Sequence, residues 1–183
     1  MRFKLDLSTT SVNKLLQALK ATEDKIATVV SKALQQLGEM GVVNIGRLLT
    51  VYGLGDSDVA RSVELIKVND SHFRIRATGK MTDIGVCQAV LLEFGTGIVG
   101  ERQPHQVAAE FGYKYDINAH GDAGWFYPTT LTDRNPRKYV TKKGDVLAWT
   151  KGMPSRPFMY NTSVYLLSEA PYVLRGVIKE LLA

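Results

Sequence analysis

Val59-Ala60-Arg61-Ser62-Val63-Glu64-Leu65-Ile66-Lys67-Val68 leads through Asn69-Asp70-Ser71 into His72-Phe73-Arg74-Ile75-Arg76-Ala77. The second arm alternates polar with apolar residues, the two-residue period of a strand that buries one face. Turn-forming residues separate the arms, so the stretch predicts a β-hairpin ending at Thr78-Gly79. Everything N-terminal to it follows a different period, and that change places strands and helices in separate parts of the chain.

Working outward toward the N-terminus, Val12, Leu15, Leu16 and Leu19 recur at three and four residues, with Thr10 or Ser11 available as a cap. This predicts a short amphipathic helix. After Ala21-Thr22 the stripe resumes at Ile26, Val30, Ala33, Leu34, Leu37, Gly41, Ile45, Leu48 and Leu49, predicting a second, longer helix. Gly38, Gly41 and Gly46 lie in or near that stripe. Each costs a helix interior about 1 kcal/mol relative to alanine, which fits a frayed end or close packing by a neighbour. The turn residues Gly53, Gly55, Asp56, Ser57 and Asp58 then end the helical pattern.

On the other side of the hairpin, residues 84–94 are rich in apolar side chains and close on Gly95-Thr96-Gly97. They read as strand in part, while residues 89–93 fit a helical turn equally well. Residues 95–157 carry both tryptophans and two of the three histidines, amid glycine and proline. They predict a long loop excursion with short strands at residues 124–128 and 146–151. Pro157, with Ser155 near the cap, opens a final helix whose apolar positions run from Phe158 to Leu181. Pro171 is expected to kink or split it. The sum is an α+β fold: N-terminal helices and a C-terminal helix packed on a small, mostly antiparallel sheet, with the excursion at about 95–157. The length of 183 residues favours a single domain.

Charge and cysteine usage narrow the function. The net charge of +5 is spread along the chain, with no block of like charges, and points weakly to an anionic partner. Cys87 is the one cysteine, which excludes an intramolecular disulfide framework and suits a reducing compartment. No apolar run reaches the length of about 20 residues that spans a bilayer, and Met1-Arg2-Phe3-Lys4-Leu5-Asp6 opens no signal-like core. A soluble protein made in the cytoplasm, with no membrane partner, is the expectation.

Candidate chemistry is sparse. His105, Glu110, Asp116, His120 and Asp122 share one window and are residue types that hold divalent ions, yet their spacing matches no established metal motif. Gly95-Thr96-Gly97-Ile98-Val99-Gly100 has the outline of a dinucleotide-binding loop but leads into Glu101-Arg102-Gln103-Pro104, not a βαβ helix. Cys87, between Val86 and Gln88, has the setting of a packed thiol and not of a nucleophile. The reading is therefore of a non-enzyme without metal or cofactor. Arg134, Arg137, Lys138, Lys142, Lys143 and Lys151, interleaved with Tyr139 and Trp149, could line a path for nucleic acid through phosphate neutralisation and stacking.

Leu91-Leu92-Glu93-Phe94-Gly95-Thr96-Gly97 and Arg156-Pro157-Phe158-Met159-Tyr160 together resemble the two signature motifs of a tailed-bacteriophage minor structural family, the gene-product-ten-like neck and tail-completion proteins. The intervening Gly97-Ile98-Val99-Gly100-Glu101, Pro104-His105, Gly124-Trp125-Phe126-Tyr127-Pro128 and Trp149-Thr150-Lys151-Gly152 resemble a longer variety of that family. Asn44-Ile45-Gly46-Arg47-Leu48 only partly echoes a further segment. The resemblance implies a virion structural protein at the neck or tail top, joining head to tail as one copy of a homo-oligomeric ring. Its implied partners are itself, other neck and tail proteins, and passing DNA.

Physically, a carboxylate at Glu93 is costly to bury unless it caps backbone N–H groups, and Gly95-Thr96-Gly97 just beyond offers such donors. Glu93, Phe94, Gly95, Thr96 and Gly97 are thus expected to hold the fold, with Arg156 reaching a carboxylate such as Glu93. Pro157 and Phe158 are expected to dock the last helix.

Overall fold

The computed structural model describes residues 9–82, 85–115, 120–132 and 135–182. The chain is α+β, with a long helix at each end of the sequence and two small antiparallel sheets between them in chain order. Helix α1 spans Thr9–Val51, α2 Asp58–Arg61, α3 Gln88–Phe94, α4 Gly97–Arg102 and α5 Phe158–Leu182. Strands β1 (Glu64–Asn69) and β2 (His72–Arg76) form one sheet. The other, in the order β3-β5-β4, comprises β3 (Trp125–Pro128), β4 (Lys138–Val140) and β5 (Val146–Thr150). The backbone divides into two compact units, and α1 and α5 each contribute to both.

The first unit holds α1 up to Asn44, the β1–β2 hairpin, and α5 from Ser163. The two helices expected in the first fifty residues are one, because Ala21-Thr22 and the glycines do not break the turn-to-turn hydrogen bonding. In the hairpin, Leu65 faces Ile75 and Lys67 faces Phe73, the alternation that the sequence predicts. Gly38 lies beneath Leu65: a Cβ there would stand 2.5 Å from Leu65 Cδ1. This glycine is therefore a packing site in the helix interior and not a frayed end. Ala33 and Val177 are buried in the same unit. An exposed ion pair, Lys32 Nζ to Glu180 Oε1 at 3.1 Å, links α1 to the end of α5. Such a pair contributes little stability of its own.

The second unit comprises residues 45–63 and 77–162, with Ile45, Leu49, Val59 and Phe158 fully buried. The start of the predicted hairpin is helical: Ser57 caps α2 by accepting from Ala60 N at 3.2 Å. Ser62 Oγ then accepts from Thr78 N and Gly79 N, fastening the chain where it returns from the hairpin. Residues 88–94 adopt the helical alternative, with Ala89 and Leu92 buried on one side. The excursion contains both expected strands, and adds β4 and α4. Helix α5 runs unbroken through Pro171, so the expected split does not occur. That residue sits on an exposed position, where the backbone carbonyl left without an N–H partner can meet solvent.

Candidate functional site

Two features of the second unit gather the residues that the sequence singled out. The first is a buried node around Glu93. Its Oε2 accepts from Met159 N at 2.9 Å, and its Oε1 from Tyr160 N at 2.9 Å, so the carboxylate caps the N-terminus of α5. Four orphan N–H groups and the positive end of the helix dipole make that terminus a natural anion site. His105 Nε2 also meets Oε1, at 3.1 Å. Because His105 Nδ1 accepts from Val107 N at 3.2 Å, the imidazole proton belongs on Nε2, pointing at Glu93. Three N–H donors thus converge on one carboxylate that is 7% exposed, an arrangement that fits its anion.

The donors differ from those expected. Gly95, Thr96 and Gly97 do not cap Glu93; they cross the segment before α5, with Thr96 N donating to Met153 O at 2.9 Å and Met153 N returning to Thr96 O at 3.0 Å. Gly95 (φ 82°) and Gly97 (φ 59°) hold left-handed backbone there. A Cβ on either would strike main chain, Ser155 N or Lys151 O respectively. Arg156 is not the partner of Glu93 either: its N–H donates to Leu92 O at 2.9 Å, while His105 Nε2 takes the place beside the carboxylate at 3.1 Å. Pro157 precedes the first turn of α5, and Phe158 is fully buried, as docking the helix requires.

An aromatic shell closes the node. Phe94 stacks on Tyr113 at 4.7 Å between centroids and lies 4.6 Å from the His105 ring. Tyr113 Oη donates to Gly95 O at 2.8 Å, and His105 N donates to Tyr115 Oη at 2.9 Å. Burial first, and the neighbouring Tyr115 second, push the Tyr113 phenol up to about 12.

The second feature is the exposed face of the three-stranded sheet. Phe126 lies directly across from Trp149, and Tyr139 across from Leu147. Cross-strand partners share a face, and Phe126 and Tyr139 are both more than half exposed. The Arg137 guanidinium sits over the Trp149 ring at 4.7 Å, and Lys151 Nζ lies 5.9 Å from it. Lys138 departs from this set: it is directed to the Leu131 carbonyl at 2.7 Å. Lys142 and Lys143 lie in the exposed turn between β4 and β5, and Arg134 lies outside the described residues.

Sequence reasoning missed His105 as the partner of Glu93 and Phe126 as a member of the aromatic face. The signal for Phe126 was available: strand alternation in Trp125-Phe126-Tyr127-Pro128 puts it opposite in sense to Trp125. His105 carried no such local signal. Of the window from His105 to Asp122, His105 is buried against Glu93 while His120 stacks on Trp125 at 4.9 Å, and Asp116 lies outside the described residues. Among the described residues no three histidine, cysteine, aspartate or glutamate side chains come together as a metal would need. No described helix is long and apolar enough to cross a membrane. Compared with protein families, curated proteins and solved structures, the chain matches none.

Proposed function

We propose that this chain is a virion structural subunit of a tailed bacteriophage, acting at the neck or tail top as one copy of a ring that joins head to tail. The observation that carries the reading is the Glu93 node. The two sequence segments that resemble the phage family, residues 91–97 and 156–160, meet in it through Met159 N and Tyr160 N on the Glu93 carboxylate. Their joint occurrence thereby has a physical basis: one supplies the cap for the helix that the other begins. This supports a scaffold whose motif residues maintain shape, leaving other surfaces to bind neighbours.

The test is genetic and visual. In the phage or prophage encoding the chain, deleting its reading frame is expected to leave DNA-filled heads and separate tails in electron micrographs. Adding the purified protein to that lysate is expected to restore joined particles. Intact head–tail joints without the protein would refute the reading.

A second reading, contact with nucleic acid, is favoured by Phe126, Trp149, Arg137 and Lys151 sharing one region of the sheet. Exposed rings stack on bases while cations neutralise phosphates. Titrating single-stranded and duplex DNA at two salt concentrations, with Trp149 fluorescence as the signal in a Trp125→Phe background, tests it. Quenching that weakens steeply with salt and is lost in Arg137→Ala supports the reading; salt-independent or absent quenching refutes it.

A further inference from the structure

Both helices of the first unit carry an apolar seam that is exposed among the described residues. On α1, Leu16, Leu19, Ile26 and Val30 fall at three- and four-residue steps with Glu23 at the centre, and Leu16, Leu19 and Ile26 are each more than half exposed. These residues continue the stripe that Ala33 carries into the unit's own core, so one stripe is covered in its second part and bare in its first. Glu180, near the end of α5, pairs with Lys32, and the exposed residues lie in the turns of α1 that precede Lys32.

Helix α5 is apolar on two sides. Its buried line includes Phe158, Thr162 and Val177. A separate line of Val164, Leu167, Leu174, Ile178 and Leu181, with Pro171 in register, keeps the same three-and-four spacing and is exposed, Leu167 at 75%. A soluble surface helix needs one apolar stripe, and seams of this period are the pattern by which helices pair.

We infer that these two seams are the two halves of one contact between copies of this chain, the α1 seam of one copy packing on the outer α5 seam of the next. Their lengths match, about 21 Å for residues 16–30 and about 26 Å for residues 164–181 at the helical rise. Charge favours the mixed pair over either like pair. Glu23, the one carboxylate within the α1 seam, is central to it, and Arg175 flanks the α5 seam within a turn of its midpoint. Centred packing brings Glu23 beside Arg175 in either helix direction, whereas a centred α1–α1 pair sets Glu23 against Glu23 in either direction and a parallel α5–α5 pair sets Arg175 against Arg175. Two different faces per copy make the contact heterologous, which is what a closed ring requires. The inference rests on the ring reading above and names the surfaces that would build it.

Sedimentation velocity on the full chain tests it. Wild type is expected to assemble beyond the dimer as concentration rises. Leu19→Glu/Ile26→Glu removes the α1 face, and Leu167→Glu/Leu174→Glu the outer α5 face. Each double variant alone is expected to stay monomeric, with the far-ultraviolet circular dichroism of wild type because the altered side chains are exposed. An equimolar mixture retains one intact face of each kind and is expected to give dimers and nothing larger. A mixture that stays monomeric, or an α1-face variant that assembles like wild type, overturns the contact while wild-type assembly leaves the ring reading standing. Wild type that remains monomeric at every concentration overturns the contact as well, and the ring reading then depends on head–tail complementation alone.

Discussion

Glu93→Gln changes two atoms of charge and hydrogen-bond character with almost no change of shape. In the folded chain the carboxylate receives Met159 N, Tyr160 N and His105 Nε2. Glutamine keeps one acceptor oxygen, but its NH2 must face at least one of those N–H groups. His105 cannot relieve the conflict by moving its proton, because its Nδ1 already accepts from Val107 N. Losing one charge-assisted hydrogen bond costs about 1.5–3 kcal/mol, and the carboxylate at a helix N-terminus adds about 0.3–1 kcal/mol. The smaller cost of burying a neutral amide offsets part of this, though removing one partner of a buried set leaves the others unpaired. A net loss of about 3 kcal/mol lowers Tm by about 6–12 °C in a chain of this size. Thermal melting followed at 222 nm, with the exposed Glu101→Gln as control, measures it. Since the node belongs to the second compact unit, a melt that resolves two steps should move only in the step of that unit. A Tm within about 1 °C of wild type would refute the capping argument, because the shift derived above is several times larger.

His105→Ala should destabilise the same unit by about 2–4 kcal/mol, since it removes the Glu93 contact and leaves a gap beside Phe94; urea titration reads the change. Tyr113 should ionise late in an absorbance titration at 295 nm, being pushed up to about 12, and Tyr113→Phe should remove that late step. Its fold favours the neutral phenol, so this contribution to stability is complete below the unfolded value of about 10 and is lost as pH rises from there through 12. Tyr113→Phe should abolish that alkaline loss at a cost of about 1 kcal/mol for the bond to Gly95 O. Gly46→Ala should stabilise by about 0.5–1 kcal/mol, because nothing lies within 4 Å of the added carbon. Gly38→Ala should gain nothing or lose stability, since the methyl meets Leu65; paired melts of the two variants decide it.

Short-range physics was legible from the residues alone. Helix period in the first fifty residues, alternation in His72-Phe73-Arg74-Ile75-Arg76 and the proline before Phe158 each express a preference set within a few positions, and helix, strand and helix respectively form there. Residues 88–94 were ambiguous for the same reason: a short apolar run suits strand or helix, and burial of Ala89 and Leu92 on one side decided for helix. The unbroken α1 was misread as two helices, because the apolar stripe pauses between Leu19 and Ile26 while the backbone hydrogen bonds continue through Ala21-Thr22.

What the sequence determined by itself was the α+β class, the hairpin, the closing helix and the importance of Glu93. Tertiary structure alone decided the identity of the Glu93 partners, which are 12, 66 and 67 residues away along the chain. It also decided that Phe126 and Trp149 share a face, and that the apolar seams on α1 and α5 stay bare while their neighbours are covered. The physical reason is common to all three. Periodicity reports that a face is apolar, but whether that face is buried depends on which distant element reaches it, and no local preference encodes that distance.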